Sequence, residues 1–255
     1  MTLAIALKFL AVVGLGYLIG SIPFGVLVGR KFAKVDVRKF GSGKMGTTNV
    51  LRVAGKKAAA VVFIMDLLKG ALSVLAAWLV LRGEYRADVG SAVYVVLRSA
   101  PALAALAAIA GHIWPVFMRF KGGRGVATFY GGMFALNPLV AFFSGQVFIL
   151  GTSTTRYVSV GSIAGAVAAY AILVPLVFVS GFPWENLLYG TVGSIAIIAT
   201  HRDNIQRLMA GKERKLGEPA ETMKPAARSV PWTPGMAGGA RQLASLRWSK
   251  QNLHG

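Results

Sequence analysis

Between two long apolar runs lies the stretch Gly41-Ser42-Gly43-Lys44-Met45-Gly46-Thr47-Thr48-Asn49-Val50-Leu51-Arg52. Glycines let backbone N–H groups close on an anion, while the hydroxyls of Ser42, Thr47 and Thr48 and the carboxamide of Asn49 add hydrogen-bonding groups. Lys44 and Arg52 supply charge, and the combination suits a phosphate. The loop Lys121-Gly122-Gly123-Arg124-Gly125 repeats this chemistry, and two more polar patches follow, Arg156-Tyr157-Val158-Ser159 and His201-Arg202-Asp203-Asn204. Asn204 stands at i+3 from His201, so a helix would put both on one face. One glycine loop is weak evidence, because glycines are common in membrane helices and turns that bind nothing. Four patches on the same side of a membrane point to a single anionic site.

Other chemistries are disfavoured. The 255-residue chain has no cysteine, which removes disulfides, thiolate nucleophiles and cysteine-ligated zinc. Its 3 histidines have no metal-site spacing, so zinc is not expected. Gly41-Ser42-Gly43-Lys44 lacks the four-residue gap of a P-loop, and Ser42 lacks the strand-to-helix elbow of a hydrolase nucleophile.

The elements that must position these patches are membrane spans. Hydrophobic residues make up 55% of the chain and charged ones 15%, with a mean hydropathy of +0.60, far from the composition of a soluble domain. Apolar character begins at once, so the N-terminal run reads as a first span rather than a cleaved signal. The pattern predicts an all-α membrane protein with seven transmembrane helices: 3–28, 58–81, 99–118, two short spans within 126–153 divided at Asn137-Pro138, then 160–182 and 184–200. Basic ends at Arg30, Lys31 and Lys34, at Lys56 and Lys57, at Arg119, Lys121 and Arg124, and at Arg156 put those loops in the cytoplasm. The N-terminus is then outside and the C-terminus cytoplasmic, with a mixed-charge loop of Arg82, Glu84, Arg86 and Asp88 on the outer side. Residues 1–214 read as one membrane domain and 215–255, with Pro219, Pro225, Pro231 and Pro234 among scattered cations, as a basic, disordered or surface-bound tail. A formal charge of +19 on such a chain favours anionic lipid and anionic substrates over nucleic acid. Asp66 and Lys69 share a helix face inside a span, can neutralise one another and read as supporting residues. His112 reads as a helix-end contact at the interface.

Several ordered stretches then carry a resemblance. They are Gly20-Ser21-Ile22-Pro23, Val35 to Arg52 (VDVRKFGSGKMGTTNVLR), Asp66 to Gly70 (DLLKG), Gly111 to Thr128 (GHIWPVFMRFKGGRGVAT), Arg156 to Ile163 (RYVSVGSI) and His201 to Glu213 (HRDNIQRLMAGKE). Through them the chain, from Gly20 to about Gly211, resembles the bacterial integral-membrane glycerol-3-phosphate acyltransferases that use acyl phosphate as donor, the PlsY type. The resemblance implies transfer of a fatty acyl group from acyl phosphate to the 1-hydroxyl of glycerol 3-phosphate, giving lysophosphatidic acid and inorganic phosphate. It implies a multi-pass protein of the bacterial cytoplasmic (inner) membrane with its site at the cytoplasmic face. Carried over to matching positions, the site residues are Ser42, Arg52, Lys121, Ser159, His201 and Asn204. The implied partners are glycerol 3-phosphate, fatty acyl phosphate and membrane lipid, with no cofactor or metal and with the oligomeric state left open. The chain departs from the family pattern at Lys44, where asparagine is usual, and at Thr47, where alanine is usual; Lys44 adds charge beside the expected phosphate.

An acyl phosphate is already activated, so positioning and charge neutralisation can carry such a reaction. Arg52, Lys121 and the backbone of Gly41 to Gly43 would hold phosphate groups, while Ser42, Ser159 and Asn204 orient oxygens. The attacking hydroxyl would lose its proton to His201 or to the acceptor's own phosphate, whose second pKa is about 6. A transporter of phosphate esters would instead place its polar groups near the membrane midplane, reachable from both sides. A lipid-binding scaffold would account for the charge and not for the ordered glycine, serine and asparagine motifs.

Overall fold

A computed structural model describes residues 2–85 and 91–218. Arg86 and Asp88 of the expected outer loop, and the expected tail beyond 218, lie outside the described residues. Everything described is helix, turn or loop, and proline and glycine decide where the helices break.

The first apolar run is two helices rather than one span to residue 28. Helix α1 (Leu3–Ser21) stops before Pro23, and α2 (Phe24–Ala33) restarts after it. Proline has no N–H to continue the ladder, and its ring clashes with the carbonyl four residues back. Helix α3 (Thr47–Leu81) is 35 residues long, so it begins inside the first glycine-rich motif and not at 58. Gly55, at φ 81° and ψ 179°, kinks it early, a backbone conformation that glycine adopts without a Cβ clash. Helix α4 (Ser91–Ile113) ends at Trp114 because the residue before Pro115 avoids helical backbone. A short 3-10 turn, Val116–Met118, follows.

The break expected at Asn137-Pro138 is present. Helices α5 (Val126–Leu136) and α6 (Pro138–Thr155) meet there, with the Asn137 side chain accepting from the Val140 N–H at 3.2 Å and Pro138 opening α6. Helices α7 (Val158–Phe178), α8 (Trp184–Thr200) and the short α9 (Arg202–Met209) complete the described chain. Four segments are long and apolar enough to cross a membrane: Leu3–Ala33, taken through its Pro23 break, Thr47–Leu81, Val93–Met118 and Val158–Phe178. Helix α5 has 11 residues and rises only about 16 Å at 1.5 Å per residue, roughly half the hydrocarbon thickness.

The helices meet through small residues. A Cβ at Gly16 or Gly20 of α1 would overlap the carbonyl of Ala104 or Ala108 on α4, and one at Gly111 would overlap that of Tyr17. Gly70 and Gly131 do the same between α3 and α5, and Gly161 sits against the Phe148 carbonyl between α7 and α6. Such backbone-to-backbone approach is how helices associate where lipid removes the hydrophobic drive between them. Large apolar side chains point outward instead, among them Leu10, Phe142, Leu150 and Ile195, the surface expected of a bundle solvated by lipid. Inside, the Phe129 and Tyr189 rings stack with centroids 5.5 Å apart, and the Tyr189 hydroxyl donates to the Phe129 carbonyl at 2.8 Å.

Gly20→Ala should lower the thermal midpoint by several degrees, since overpacking costs about 1–3 kcal/mol. Gly14→Ala, where an added Cβ meets nothing within 4 Å, should leave the midpoint unchanged. Unfolding of both variants in detergent tests this, and equal midpoints would mean that α1 does not depend on close contact with α4.

Candidate active site

The first motif folds around one side chain. Asn49 is buried, and its Nδ2 lies 2.8 Å from the Val37 carbonyl, 2.8 Å from that of Lys44 and 3.1 Å from that of Phe40. Its Oδ1 accepts from the backbone N–H of Ser42 at 3.1 Å. One carboxamide thus supplies both a donor and an acceptor to a loop that has no helix or sheet partner of its own. Gly41 and Gly43 turn the chain at φ 58° and 68°, in the left-handed region where a side chain would strain the backbone. Ser42, Lys44, Thr47 and Thr48 are left lining a cavity.

The second glycine motif is built differently. The N–H of Gly122 donates to the Ile113 carbonyl at 3.1 Å and that of Gly123 to the His112 carbonyl at 3.0 Å, folding the loop back onto α4. A Cβ at Gly123 would overlap the His112 ring, so this glycine serves close packing rather than an anion. His112 is buried, with Nδ1 3.4 Å from Lys69 Nζ and 3.5 Å from Asp66 Oδ1. Asp66 and Lys69 pair at 2.8 Å, as their spacing suggested, and Lys69 also lies over the Phe24 ring. His112 is therefore not an interfacial helix-end contact. It joins a buried ionic cluster, where a partner offsets much of the desolvation cost.

These elements enclose a cavity of about 140 Å³ at one end of the bundle. The N-termini of α3, α5 and α7 all reach it, through Gly46 to Thr48, Gly125 to Ala127, and Val158 with Ser159. None of the three has a side-chain cap among the described residues. Their first N–H groups and positive dipole ends therefore remain available to an anion. Ser42, Ser159 and His201 line the same cavity, and Arg124 enters it from the second loop. Two guanidinium nitrogens, Nε of Arg52 and Nε of Arg124, are buried without a hydrogen-bond partner among the described residues, as is Oδ1 of Asn204. Buried polar atoms are seldom left so.

Electrostatics set the state of the two principal ionisable groups. Burial, and after it the nearby Arg207 cation, pulls the Arg124 guanidinium down to about 10, which leaves it charged at neutral pH and in need of a counter-ion. His201 is 2% exposed. Its Nδ1 lies 2.8 Å from the Ile197 carbonyl, which fixes the proton on Nδ1 and leaves the lone pair on Nε2. Burial first, and the Arg124 charge second, lower the imidazole to about 4.

The remaining expected residues are distributed unevenly. Asn204 is buried, donating from Nδ2 to Glu213 Oε1 at 2.6 Å, and Ser159 Oγ donates to the same oxygen at 3.3 Å. Arg52 is partly buried and donates from Nη2 to the Arg214 and Lys215 carbonyls at 3.3 and 3.4 Å. Lys121 is exposed, and neither it nor Arg52 nor Asn204 is among the residues that line the cavity. The cation that does so from that loop is Arg124, which sequence reasoning passed over although it stands in the same motif. Glu213 was passed over too, and only its place at the end of the last motif marked it.

Arg124, Lys44, three uncapped helix N-termini, hydroxyls and a neutral imidazole around one cavity define the class: a multi-pass membrane protein suited to receive a phosphate-like anion. A family profile for glycerol-3-phosphate acyltransferase matches residues 10–211. The chain belongs to this glycerol-3-phosphate acyltransferase (PlsY) family. The glycerol-3-phosphate acyltransferase 3 of Dehalococcoides mccartyi (strain CBDB1) is 54% identical over 213 residues, covering 84% of this chain and 98% of the relative. The glycerol-3-phosphate acyltransferase of Thermus thermophilus is 41% identical over 207 residues, 81% of this chain and 94% of the relative. A crystal structure of PlsY (YgiH), an integral membrane glycerol 3-phosphate acyltransferase, in its glycerol 3-phosphate form has a TM-score of 0.70 at 38% identity, covering 82% of this chain and 96% of that one. The lysophosphatidic acid form of PlsY gives 0.68 at 37%, covering 82% and 95%.

Because the His201 pKa is lowered from 6.5 to about 4, the imidazole of the protein alone stays uncharged from pH 8 down to about pH 5. Its NMR resonances, assigned by loss in His201→Gln, should not titrate in that window. A midpoint near 6.5 would show the ring to be solvated and the burial argument wrong.

Proposed function

We propose that this protein transfers a fatty acyl group from acyl phosphate to the 1-hydroxyl of glycerol 3-phosphate, forming lysophosphatidic acid and inorganic phosphate in phospholipid synthesis. The observation that carries the reading is the buried Arg124 Nε, without a partner among the described residues, beside three uncapped helix N-termini on one cavity. They supply directed positive charge for phosphate at a site that excludes most water. PlsY relatives seen in glycerol 3-phosphate and lysophosphatidic acid forms support the acceptor and the product. The motif resemblance supports the donor.

In this reading the chain crosses the bacterial inner membrane seven times, with α1 and α2 counted together and α3 to α8 singly, the N-terminus outside and the C-terminus in the cytoplasm. The cavity then faces the cytoplasm, because Arg30, Lys31, Lys56, Lys57, Arg119, Lys121 and Arg156 all stand in or beside the connections at its end of the bundle. Arg52 and Arg124 hold the phosphates together with the N–H groups of Gly41 to Gly43 and of the helix ends. Ser42, Ser159 and Asn204 orient oxygens, Lys44 adds charge at the cavity wall, and Lys121 attracts anions from the exposed part of the second loop. Phe63, on the outward face of α3, and Phe148 line the same cavity and give the acyl chain an apolar path from the lipid.

The 1-hydroxyl oxygen attacks the acyl carbonyl carbon, and the bond from that carbon to the phosphate oxygen breaks, with the electron pair leaving on phosphate. The hydroxyl proton goes to a base. An imidazole held near 4 is weaker than a phosphate whose second pKa is about 6. The substrate phosphate is therefore the better acceptor, with His201 Nε2 orienting the hydroxyl.

Purified protein given palmitoyl phosphate should release inorganic phosphate only when glycerol 3-phosphate is added, one for one with lysophosphatidic acid. Folded protein without acceptor-dependent release would overturn the proposal and bring transport of a phosphate ester to the front. Arg124→Ala should lower kcat/KM at least about 100-fold, the scale of one lost charge-stabilising contact, at an unchanged thermal midpoint. His201→Gln should keep turnover within about tenfold; a loss beyond about 1000-fold would assign the proton to the histidine.

A further inference from the structure

The chain after α9 has no part in the mechanism above, yet it contacts several of the residues assigned to the site. It reverses at Gly211, at φ 65°, and the Leu216 N–H donates to the Arg156 carbonyl at 2.7 Å, which ties it to the start of α7. Within it, the Glu213 side chain is 6% exposed. Its Oε1 accepts from Asn204 Nδ2 at 2.6 Å and from Ser159 Oγ at 3.3 Å, and its Oε2 accepts from Arg207 Nε at 2.7 Å. The next two carbonyls, of Arg214 and Lys215, accept from Arg52 Nη2. Residues carried by α3, α7 and α9 are thus held by one strap.

The chemistry of the carboxylate decides what those residues can do. A carboxylate in an ion pair with a guanidinium, as Glu213 is with Arg207 at 2.7 Å, only accepts hydrogen bonds. It therefore forces the Asn204 amide to turn its NH₂ towards Glu213, which leaves Oδ1 on the other side, buried and without a partner among the described residues. It also engages the Ser159 proton, so Ser159 Oγ meets the cavity as an acceptor. A phosphate oxygen needs donors, whereas a substrate hydroxyl can donate to either group. We propose that Glu213 is a positioning residue that polarises Ser159 and Asn204 into acceptors, so that this side of the cavity reads the hydroxyl groups of glycerol 3-phosphate while Arg52, Arg124 and the helix ends read its phosphate. The inference rests on the glycerol 3-phosphate reading of the site.

Glu213→Gln tests it, because glutamine keeps the shape while adding a donor that allows Asn204 to flip and Ser159 to donate outward. Calorimetric titration of parent and variant with glycerol 3-phosphate, and with inorganic phosphate as control, reads binding rather than turnover. Glycerol 3-phosphate affinity should fall about tenfold or more, the cost of leaving a hydroxyl without its buried acceptor, with inorganic phosphate affinity unchanged. Ser159→Ala should show the same selective loss, and the double variant should lose no more than the worse single, since the two act through one contact. Equal losses for both ligands, no loss for either, or additive losses in the double variant would overturn the proposal. Ser159→Ala alone decides the matter if Glu213→Gln does not fold. A parent that binds glycerol 3-phosphate selectively but transfers no acyl group would sink the acyl-transfer reading and leave the role of Glu213 standing.

Discussion

The close approach of helix backbones at glycine is the constraint on which the rest of this molecule depends. Hydrocarbon offers no hydrophobic reward for bringing two apolar helices together, so association must come from dense packing and from hydrogen bonds. Gly16 and Gly20 against Ala104 and Ala108, Gly70 and Gly131 between α3 and α5, and Gly161 against Phe148 provide that density. These contacts lock α1 beside α4 and α3 beside α5 in parallel, and α6 beside α7 antiparallel, so the N-termini of α3, α5 and α7 come to one end, where their dipoles add. A larger residue at any of these positions would move a helix end as well as loosen a seam, so packing and anion binding are one problem here.

Charge is handled in two opposite ways along the bundle. Some ions are matched: Asp66 and His112, which line the cavity, cluster with Lys69, and at the far end Glu185 pairs with Arg98, 3.2 Å apart. Others are left unmatched: Arg124, on the cavity wall, and Arg52 each bury an Nε without a hydrogen-bond partner among the described residues. The first arrangement stabilises a fold whose interior cannot tolerate a lone charge. The second keeps a cost in the protein that a phosphate removes on binding. The matched cluster also supports the unmatched one, since Gly122 and Gly123 rest on His112 and lead directly to Arg124.

The sequence made some of this legible for physical reasons. Apolar runs reveal which segments prefer lipid, and Asn137-Pro138 carries both a capping side chain and a fixed φ, so the break between α5 and α6 could be read. The ends of α8 were plain because Pro183 precedes it and His201 follows. The break at Pro23 and the kink at Gly55 were hidden, because hydropathy measures transfer and is blind to which backbone bonds are made. The same blindness assigned all of Ser42 to Arg52 to a loop, although its second half is the first turns of α3. Residue type could also not decide between Lys121 and Arg124: only the turn built on His112 aims one into the cavity and leaves the other in solvent. Asn49 looked like one more polar group of the motif, whereas its four contacts make it the loop's organiser.

The cavity must serve reactants that differ in what they ask of a protein. A phosphate asks for donors and positive charge, a glycerol hydroxyl asks for an acceptor, and an acyl chain asks for lipid. In the proposed reaction Arg52, Arg124 and the helix N-termini would answer the first, and Phe63 and Phe148 the third. Ser159 and Asn204 belong by type to either of the first two, since hydroxyl and amide groups both donate and accept. Their neighbour removes the ambiguity, because a carboxylate can only take their protons. His201 stands between the two chemistries as a neutral ring with one free lone pair, an acceptor kept uncharged by the same burial and the same arginine that make the phosphate side work. A charged imidazole there would add a third cation to the phosphate side and remove an acceptor from the hydroxyl that must attack. In the proposed reaction the low basicity of His201 would separate the group that holds the nucleophile from the group that takes its proton.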